Sequence, residues 1–178
     1  VGVGVLTAFT DKNSFTPIAT MLPEAMVRPV VWPNEQVLDW IGEKTSATLI
    51  GPGLGVSDEK KEILAYLLAH YKGVLVIDAD ALTMLAQMDK EVFHTTEAQL
   101  VLTPHPGEMG RLIGKTAAEV QEDRIQIALD YAKKMACTLV LKGHHTVIAN
   151  QQGLALVNNC DSVSLATAGS GDVLAGTI

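Results

Sequence analysis

Val74-Leu-Val-Ile-Asp-Ala-Asp80 begins as four apolar residues and ends on two carboxylates. An apolar run this short suits a strand buried on both faces, and Gly73 just before it ends the preceding helical pattern. Upstream, Ser57 caps a helix whose Ile63, Leu64, Leu67 and Leu68 recur at helical spacing. Ala47–Ile50 is a further strand, left through the turn Gly51-Pro-Gly-Leu-Gly55. Downstream, a helix is expected from about Ala81 to Met88, and then a strand over Gln99–Leu102 that runs into Thr103-Pro-His-Pro-Gly-Glu108. Thr116-Ala-Ala-Glu119 matches a capping box and predicts one long helix to Met135, with Ile125, Ala128, Leu129, Ala132 and Met135 as its inner stripe. Thr138–Leu141 is a strand ending at Lys142, and Thr146–Ala149 and Leu154–Val157 flank Gln151-Gln-Gly153 as a hairpin.

Toward the N-terminus, Val1–Leu6 reads as a buried strand ended by Thr7 and Ala8, and Ser14–Leu22 as a short helix. Val27–Val31 is a strand that Pro29 and Pro33 consign to an edge. Asn34 caps a helix through Ile41, with Val37, Leu38, Trp40 and Ile41 facing inward. Strands alternating with helices, several strands being uniformly apolar, predict an α/β fold: a largely parallel sheet covered on both faces. In such sheets ligands lie in the crevice beyond the carboxyl ends of the strands. Gly51–Gly55, Asp78 with Asp80, Thr103–Glu108 and Lys142 should all emerge at that edge.

The 178 residues, 48% hydrophobic and 19% charged, fit one globular domain spanning 1–178. A net charge of -7 argues against nucleic acid or an anionic membrane as partner. Cys137 and Cys160 are too few and too far apart for a disulfide framework or a zinc site. With neither a signal peptide nor an apolar run of membrane length, a cytoplasmic location is expected. Val1 begins in mid-strand without an initiator Met, and Ile178 stops shortly into a helix, so both ends read as cut from a larger domain.

Ala166-Thr-Ala-Gly-Ser-Gly-Asp-Val-Leu-Ala-Gly-Thr-Ile178 carries the chemistry. Gly169, Ser170 and Gly171 precede a helical pattern, so unpaired amides and the positive end of the helix dipole meet at one anion-binding spot. Asp172 beside that spot can take a proton from a hydroxyl, or it can merely cap the helix. Asp78 and Asp80 could hold Mg²⁺ or position a hydroxyl, or Asp80 could cap the next helix. His105 lies between prolines, with Pro106 suited to the first helical position, and a neutral imidazole there can hydrogen-bond an amide or sugar. Glu108 suits a helix dipole. Lys142-Gly-His-His-Thr146 offers a cation, a flexible glycine and a hydroxyl to a nucleotide phosphate and ribose. The adjacent His144 and His145 are poorly disposed to share one metal, and neither Gly-x-Gly-x-x-Gly nor a Walker A loop is present.

Gly51-Pro-Gly-Leu-Gly55, Asp78-Ala-Asp-Ala-Leu82, Thr103-Pro-His-Pro-Gly-Glu108, Lys142-Gly-x-x-Thr146 and Ala168-Gly-Ser-Gly-Asp-Val-Leu-Ala-Gly176 occur in this order. Together they closely resemble the motifs of the ADP/ATP-dependent NAD(P)H-hydrate dehydratases, a branch of the ribokinase-like superfamily, over essentially the whole chain. The resemblance implies a three-layer α/β/α fold and an enzyme that repairs hydrated NADH or NADPH. ADP or ATP would phosphorylate the hydroxyl added to the nicotinamide ring, and phosphate elimination would restore the reduced dinucleotide. By the same resemblance Asp172 is the base, and the Gly169, Ser170 and Gly171 amides form the anion hole. Lys142, Gly143, His144, His145, Thr146 and Gly171 belong to the nucleotide site, while Gly53, His105 and Asp172 meet the hydrated dinucleotide. Mg²⁺ is the implied cofactor and a homo-oligomer, a tetramer, the implied assembly. One rival is a ribokinase-like kinase of a vitamin precursor such as hydroxymethylpyrimidine or hydroxyethylthiazole. The other is a non-catalytic nucleotide-binding domain.

Overall fold

The computed structural model describes residues 4–32, 34–160 and 166–178. In chain order, β1 (Thr7–Thr10), α1 (Lys12–Met21), β2 (Met26–Pro29) and α2 (Glu35–Lys44) precede β3 (Ala47–Ile50), α3 (Asp58–His70) and β4 (Val74–Ile77). Next come α4 (Ala79–Leu85), α5 (Val92–Thr95), β5 (Gln99–Leu102), α6 (Pro106–Ile113), α7 (Ala117–Glu122) and α8 (Arg124–Lys134). The order closes with β6 (Thr138–Leu141), β7 (Val147–Ala149), β8 (Ala155–Val157) and α9 (Ser170–Thr177).

A six-stranded sheet runs β3-β4-β5-β6-β7-β8, parallel from β3 to β6 and antiparallel over the last three strands. Successive residues of a strand face opposite sides of the sheet, so a strand buried along its length is covered on both faces. Leu75, Val76 and Ile77 of β4 are all buried, as are Leu139, Val140 and Leu141 of β6. The outermost β3 is different: Ile50 is buried but Leu49 is exposed. Ile63, Leu64, Leu67 and Leu68 of α3 join the same core, as their spacing predicts. Among the described residues, no helix is long and apolar enough to cross a membrane.

Several local expectations are corrected. Among the described residues the first strand is Thr7–Thr10; of the expected Val1–Leu6 strand, residues 4–6 are not extended into it, Val5 and Leu6 are exposed, and residues 1–3 lie outside the described residues. Strand β1 pairs in parallel with β2 in a separate two-stranded sheet. The short α5 was not anticipated, and α4 starts at Ala79 and ends at Leu85, earlier at both ends than expected. The capping box at Thr116 is present, yet the helix it opens stops at Glu122. Asp123 (φ -144, ψ 64) breaks it, and its side chain caps the new helix α8 through the Gln126 amide. Ile125, in the first turn of α8, is exposed to solvent, while Ala128, Ala132 and Met135 are buried.

Candidate active site

Parallel strands deliver their following loops to one side, so β3, β4, β5 and β6 release Gly51, Asp78, Thr103 and Lys142 at a common edge. Backbone hydrogen bonds continue the ladder there. The Asp78 amide donates to the Ile50 carbonyl, Thr103 to Ile77, and Lys142 to Pro104. Gly51 has φ +129, and a Cβ on it would run into the Asp78 carbonyl, so only glycine lets these two loops touch. Gly53 is exposed with φ +64, and a Cβ there would meet nothing within 4 Å; its glycine answers the turn rather than crowding.

The two aspartates divide the work. Asp78 is 1% exposed, and its Oδ1 accepts from Lys142 Nζ at 2.7 Å. Glu108 Oε2 stands 3.9 Å from the same ammonium. Lys142 is thus held between the Asp78 carboxylate after β4 and the Glu108 carboxylate in the first turn of α6 rather than projecting freely into solvent. Asp80 Oδ2 accepts from the Gly55 amide at 2.8 Å and so ties the glycine-rich loop down. Between them Ala79 takes φ 49, a conformation L-residues with side chains seldom adopt. Neither aspartate makes a side-chain cap to α4. Among the described residues no group of three or more His, Cys, Asp or Glu side chains is placed to hold an ion. Among the described residues the side chains alone thus build no closed cage for Mg²⁺, an ion that needs only one or two carboxylates where phosphates and water complete its shell.

His105 has a structural task. Its Nδ1 accepts from the Gly107 and Glu108 amides at 3.0 and 3.3 Å, and Glu108 Oε2 accepts from the His105 amide at 2.8 Å. This reciprocal box starts α6, with Pro106 at its first turn as its fixed φ favours. With Nδ1 used as acceptor, the neutral ring carries its proton on Nε2, 3.5 Å from Glu108 Oε1. The imidazole is half-exposed and can offer that edge to a ligand.

On the loop after β6, Thr146 Oγ1 donates to the Gly143 carbonyl at 3.0 Å, closing a tight turn. Gly143 has φ 138 and His145 φ 54. The His144 and His145 rings pack edge to face at 3.9 Å, and His145 Nδ1 lies 3.3 Å from the Asn158 carbonyl. Beneath this loop lies a residue the sequence reading missed. Arg124 Nη2 donates to the carbonyls of Leu141, Lys142 and His145 at 2.9, 3.3 and 3.4 Å. The overlooked signal was Asp123-Arg-Ile-Gln126, a second helix start inside what read as one helix.

At the start of α9, Gly169 takes the left-handed conformation (φ 84) and no side chain caps the helix. No side chain therefore occupies its first-turn amides, although the Ser170 amide donates to the Thr167 carbonyl at 3.3 Å. A Cβ on Gly171 would come within 3.4 Å of Lys142 Nζ, so this turn rests against the lysine. Asp172 is exposed in the first turn. The fold thus brings Gly51–Gly55, Asp78, Asp80, His105, Glu108, Lys142–Thr146 and Gly169–Asp172 to one edge. Such a place can hold a phosphoryl group between helix amides and a lysine, with a carboxylate alongside.

The family model for NAD(P)H-hydrate dehydratase matches residues 1–178. A bifunctional NAD(P)H-hydrate repair enzyme of Moorella thermoacetica is 41% identical over 99% of this chain, which spans 35% of that relative's length. An ADP/ATP-dependent NAD(P)H-hydrate dehydratase from Bacillus subtilis, crystallised with ATP and Mg²⁺, superposes with a TM-score of 0.84 at 33% identity, covering 98% of this chain and 60% of that one. A ribokinase-like superfamily protein from Enterococcus faecalis superposes with a TM-score of 0.82 at 30% identity, over 98% of this chain and 60% of that one. The three-layer ribokinase-like fold expected of the sequence is the fold observed.

Proposed function

The chain belongs to the NAD(P)H-hydrate dehydratase family, and from that premise we propose that it dehydrates hydrated NADH or NADPH at the expense of ADP or ATP. The observation that carries this reading is the uncapped glycine turn of α9 lying against Lys142, with Asp172 beside it. Asp172 accepts the proton of the ring hydroxyl as its oxygen attacks the terminal phosphorus. AMP leaves from ADP, or ADP leaves from ATP. The phosphorylated ring then loses inorganic phosphate by cleavage of its C–O bond, a neighbouring ring carbon gives up a proton, and the reduced nicotinamide is restored.

Phosphoryl transfer asks the protein for positioning and charge stabilisation rather than covalent help. The Gly169, Ser170 and Gly171 amides supply it, the Ser170 amide exchanging the Thr167 carbonyl for phosphate, each such donor being worth about 3–4 kcal/mol of barrier. Lys142 adds a cation already oriented by Asp78 and Glu108, so little reorganisation is needed when phosphate arrives. Gly143, His144, His145 and Thr146 form the remainder of the nucleotide loop. Gly53 and the Nε2 edge of His105 face the hydrated dinucleotide. Mg²⁺, which usually binds through substrate phosphates and water, would enter with the nucleotide and neutralise phosphate charge. The same proposal treats 1–178 as one domain on its length and composition, takes a cytoplasmic location from the sequence, and includes homo-oligomeric assembly on the family resemblance.

Incubating the intact protein with hydrated NADH, Mg²⁺ and either ADP or ATP tests this, read by the return of reduced-nicotinamide absorbance. Nucleotide-dependent recovery with release of inorganic phosphate is the expected result. No recovery from folded protein that binds nucleotide would refute it and favour the vitamin-precursor kinase, whose product keeps its phosphate.

A further inference from the structure

We propose that Arg124 is a positioning residue for nucleotide binding, its guanidinium holding the Leu141–Thr146 backbone in the shape that receives the adenine nucleotide. The inference rests on the reading of Lys142–Thr146 as the nucleotide loop. Arg124 Nη2 gathers the carbonyls of Leu141, Lys142 and His145, while Nη1 donates to Gln121 Oε1 at 2.7 Å. Carbonyl oxygens turned onto the guanidinium are not turned toward an incoming polyphosphate, which they would repel.

Three features of the chain serve this contact. Helix α7 stops and α8 restarts at Asp123, which makes Arg124 the first residue of the new helix and brings it under the loop. Gly143 is the residue against the guanidinium: a Cβ there would lie 2.6 Å from Nη1, so any other side chain would displace it. His145 holds its left-handed backbone with its carbonyl on Arg124, a conformation that persists only where the surroundings enforce it. The charge points the same way. Among the described residues no carboxylate pairs with Arg124, its Nε is buried without a partner, and burial pulls the guanidinium below its ordinary value. A cation lacking a counter-ion beneath a binding loop favours an anion above it.

The test compares wild type, Arg124→Gln and Arg124→Lys in the intact protein, with Thr146→Val as a check on the loop itself. Calorimetry gives the Kd for ADP, and steady-state kinetics give kcat and KM for ADP and for hydrated NADH. Arg124→Gln should raise Kd and KM for ADP about tenfold, the scale of one hydrogen bond to a charged group. The KM for hydrated NADH and kcat at saturating ADP should stay unchanged. Arg124→Lys should not rescue, because a single ammonium cannot bond the three loop carbonyls and Gln121 together as the two guanidinium nitrogens do. If Arg124→Gln does not fold, Gln121→Ala, which removes only the partner of Nη1, carries the same ADP-selective expectation at smaller size. Unchanged ADP affinity in the Arg124 variants, with Thr146→Val impaired, overturns the role of Arg124. Equal losses for ADP and hydrated NADH also overturn it, since they mark a general structural defect. Unchanged affinity in Thr146→Val as well refutes the nucleotide loop from which the inference starts.

Discussion

Replacing Asp78 by Asn removes the negative charge facing Lys142 while keeping the side chain's shape and one acceptor oxygen. Asp78 is 1% exposed and the Lys142 side chain 19%, so the ammonium left behind is largely shielded from water. Breaking a buried pair from one side costs about 3–5 kcal/mol, because the remaining ion keeps its desolvation cost without its partner. Glu108 Oε2, 3.9 Å from Nζ, stays as a longer-range partner. That places the expected loss at the lower end, about 3 kcal/mol. In a chain of this size about 1 kcal/mol moves Tm by roughly 2–4 °C, which puts the fall at roughly 6–12 °C. Urea unfolding at pH 7 measures the free energy, and a thermal scan checks it. Lys142→Met alone strands a buried carboxylate and should cost a similar amount. The double variant Asp78→Asn with Lys142→Met should be no worse than either single change, since neither ion then remains unpaired. Losses that simply add, or an Asp78→Asn effect below about 1 kcal/mol as for a solvated pair, would refute the strut between β4 and β6.

Other substitutions probe separate links. Asp172→Asn should lower kcat by about 10²–10⁴-fold, the usual worth of a general base, and leave ADP binding intact; near-normal turnover would remove Asp172 from that role. Gly51→Ala places a methyl on the Asp78 carbonyl at a residue with φ +129, and should cost more than about 4 kcal/mol, seen as loss of soluble, cooperatively unfolding protein. Thr116→Ala deletes the acceptor for the Glu119 amide and should cost about 1 kcal/mol by denaturation. Burial pushes the Cys137 thiol from 9.0 up to about 12, whereas Cys160 is exposed. A thiol reagent at pH 8 should therefore label Cys160 at once and Cys137 only after unfolding. A thiol whose folded value is raised stabilises the fold fully below pH 9, where the unfolded thiol is also neutral, and loses that contribution as pH climbs toward 12. Cys137→Ala should flatten the fall in urea midpoint over that range, although burial raises Tyr131 too and part of the fall will remain.

Local chemistry was legible wherever the deciding interactions lie within a few residues. Strands β3, β4, β5 and β6 end where their apolar runs end, and Asn34, Ser57 and Thr116 cap the helices they precede. The parallel sheet followed from apolar runs too uniform to leave a face in water, and it brought the special loops to one edge. The ordered motifs likewise indicated the family before any geometry was known.

What escaped was decided by partners distant along the chain. Lys142 read only as a cation offered to phosphate because its partner Asp78 stands 64 residues earlier, on the far side of the intervening strand β5. Asp80 and His105 looked like candidate ligands to metal or substrate, yet each first serves an amide of its surroundings. The single helix expected after Thr116 obeyed its propensities locally, but a second cap at Asp123 redirects it and puts Arg124 on carbonyls 17 to 21 residues away. Periodicity and capping act over one or two helical turns and can be read from a string of residues. A buried ion's choice of partner depends on which groups the folded sheet sets beside it, and only the tertiary structure decides that.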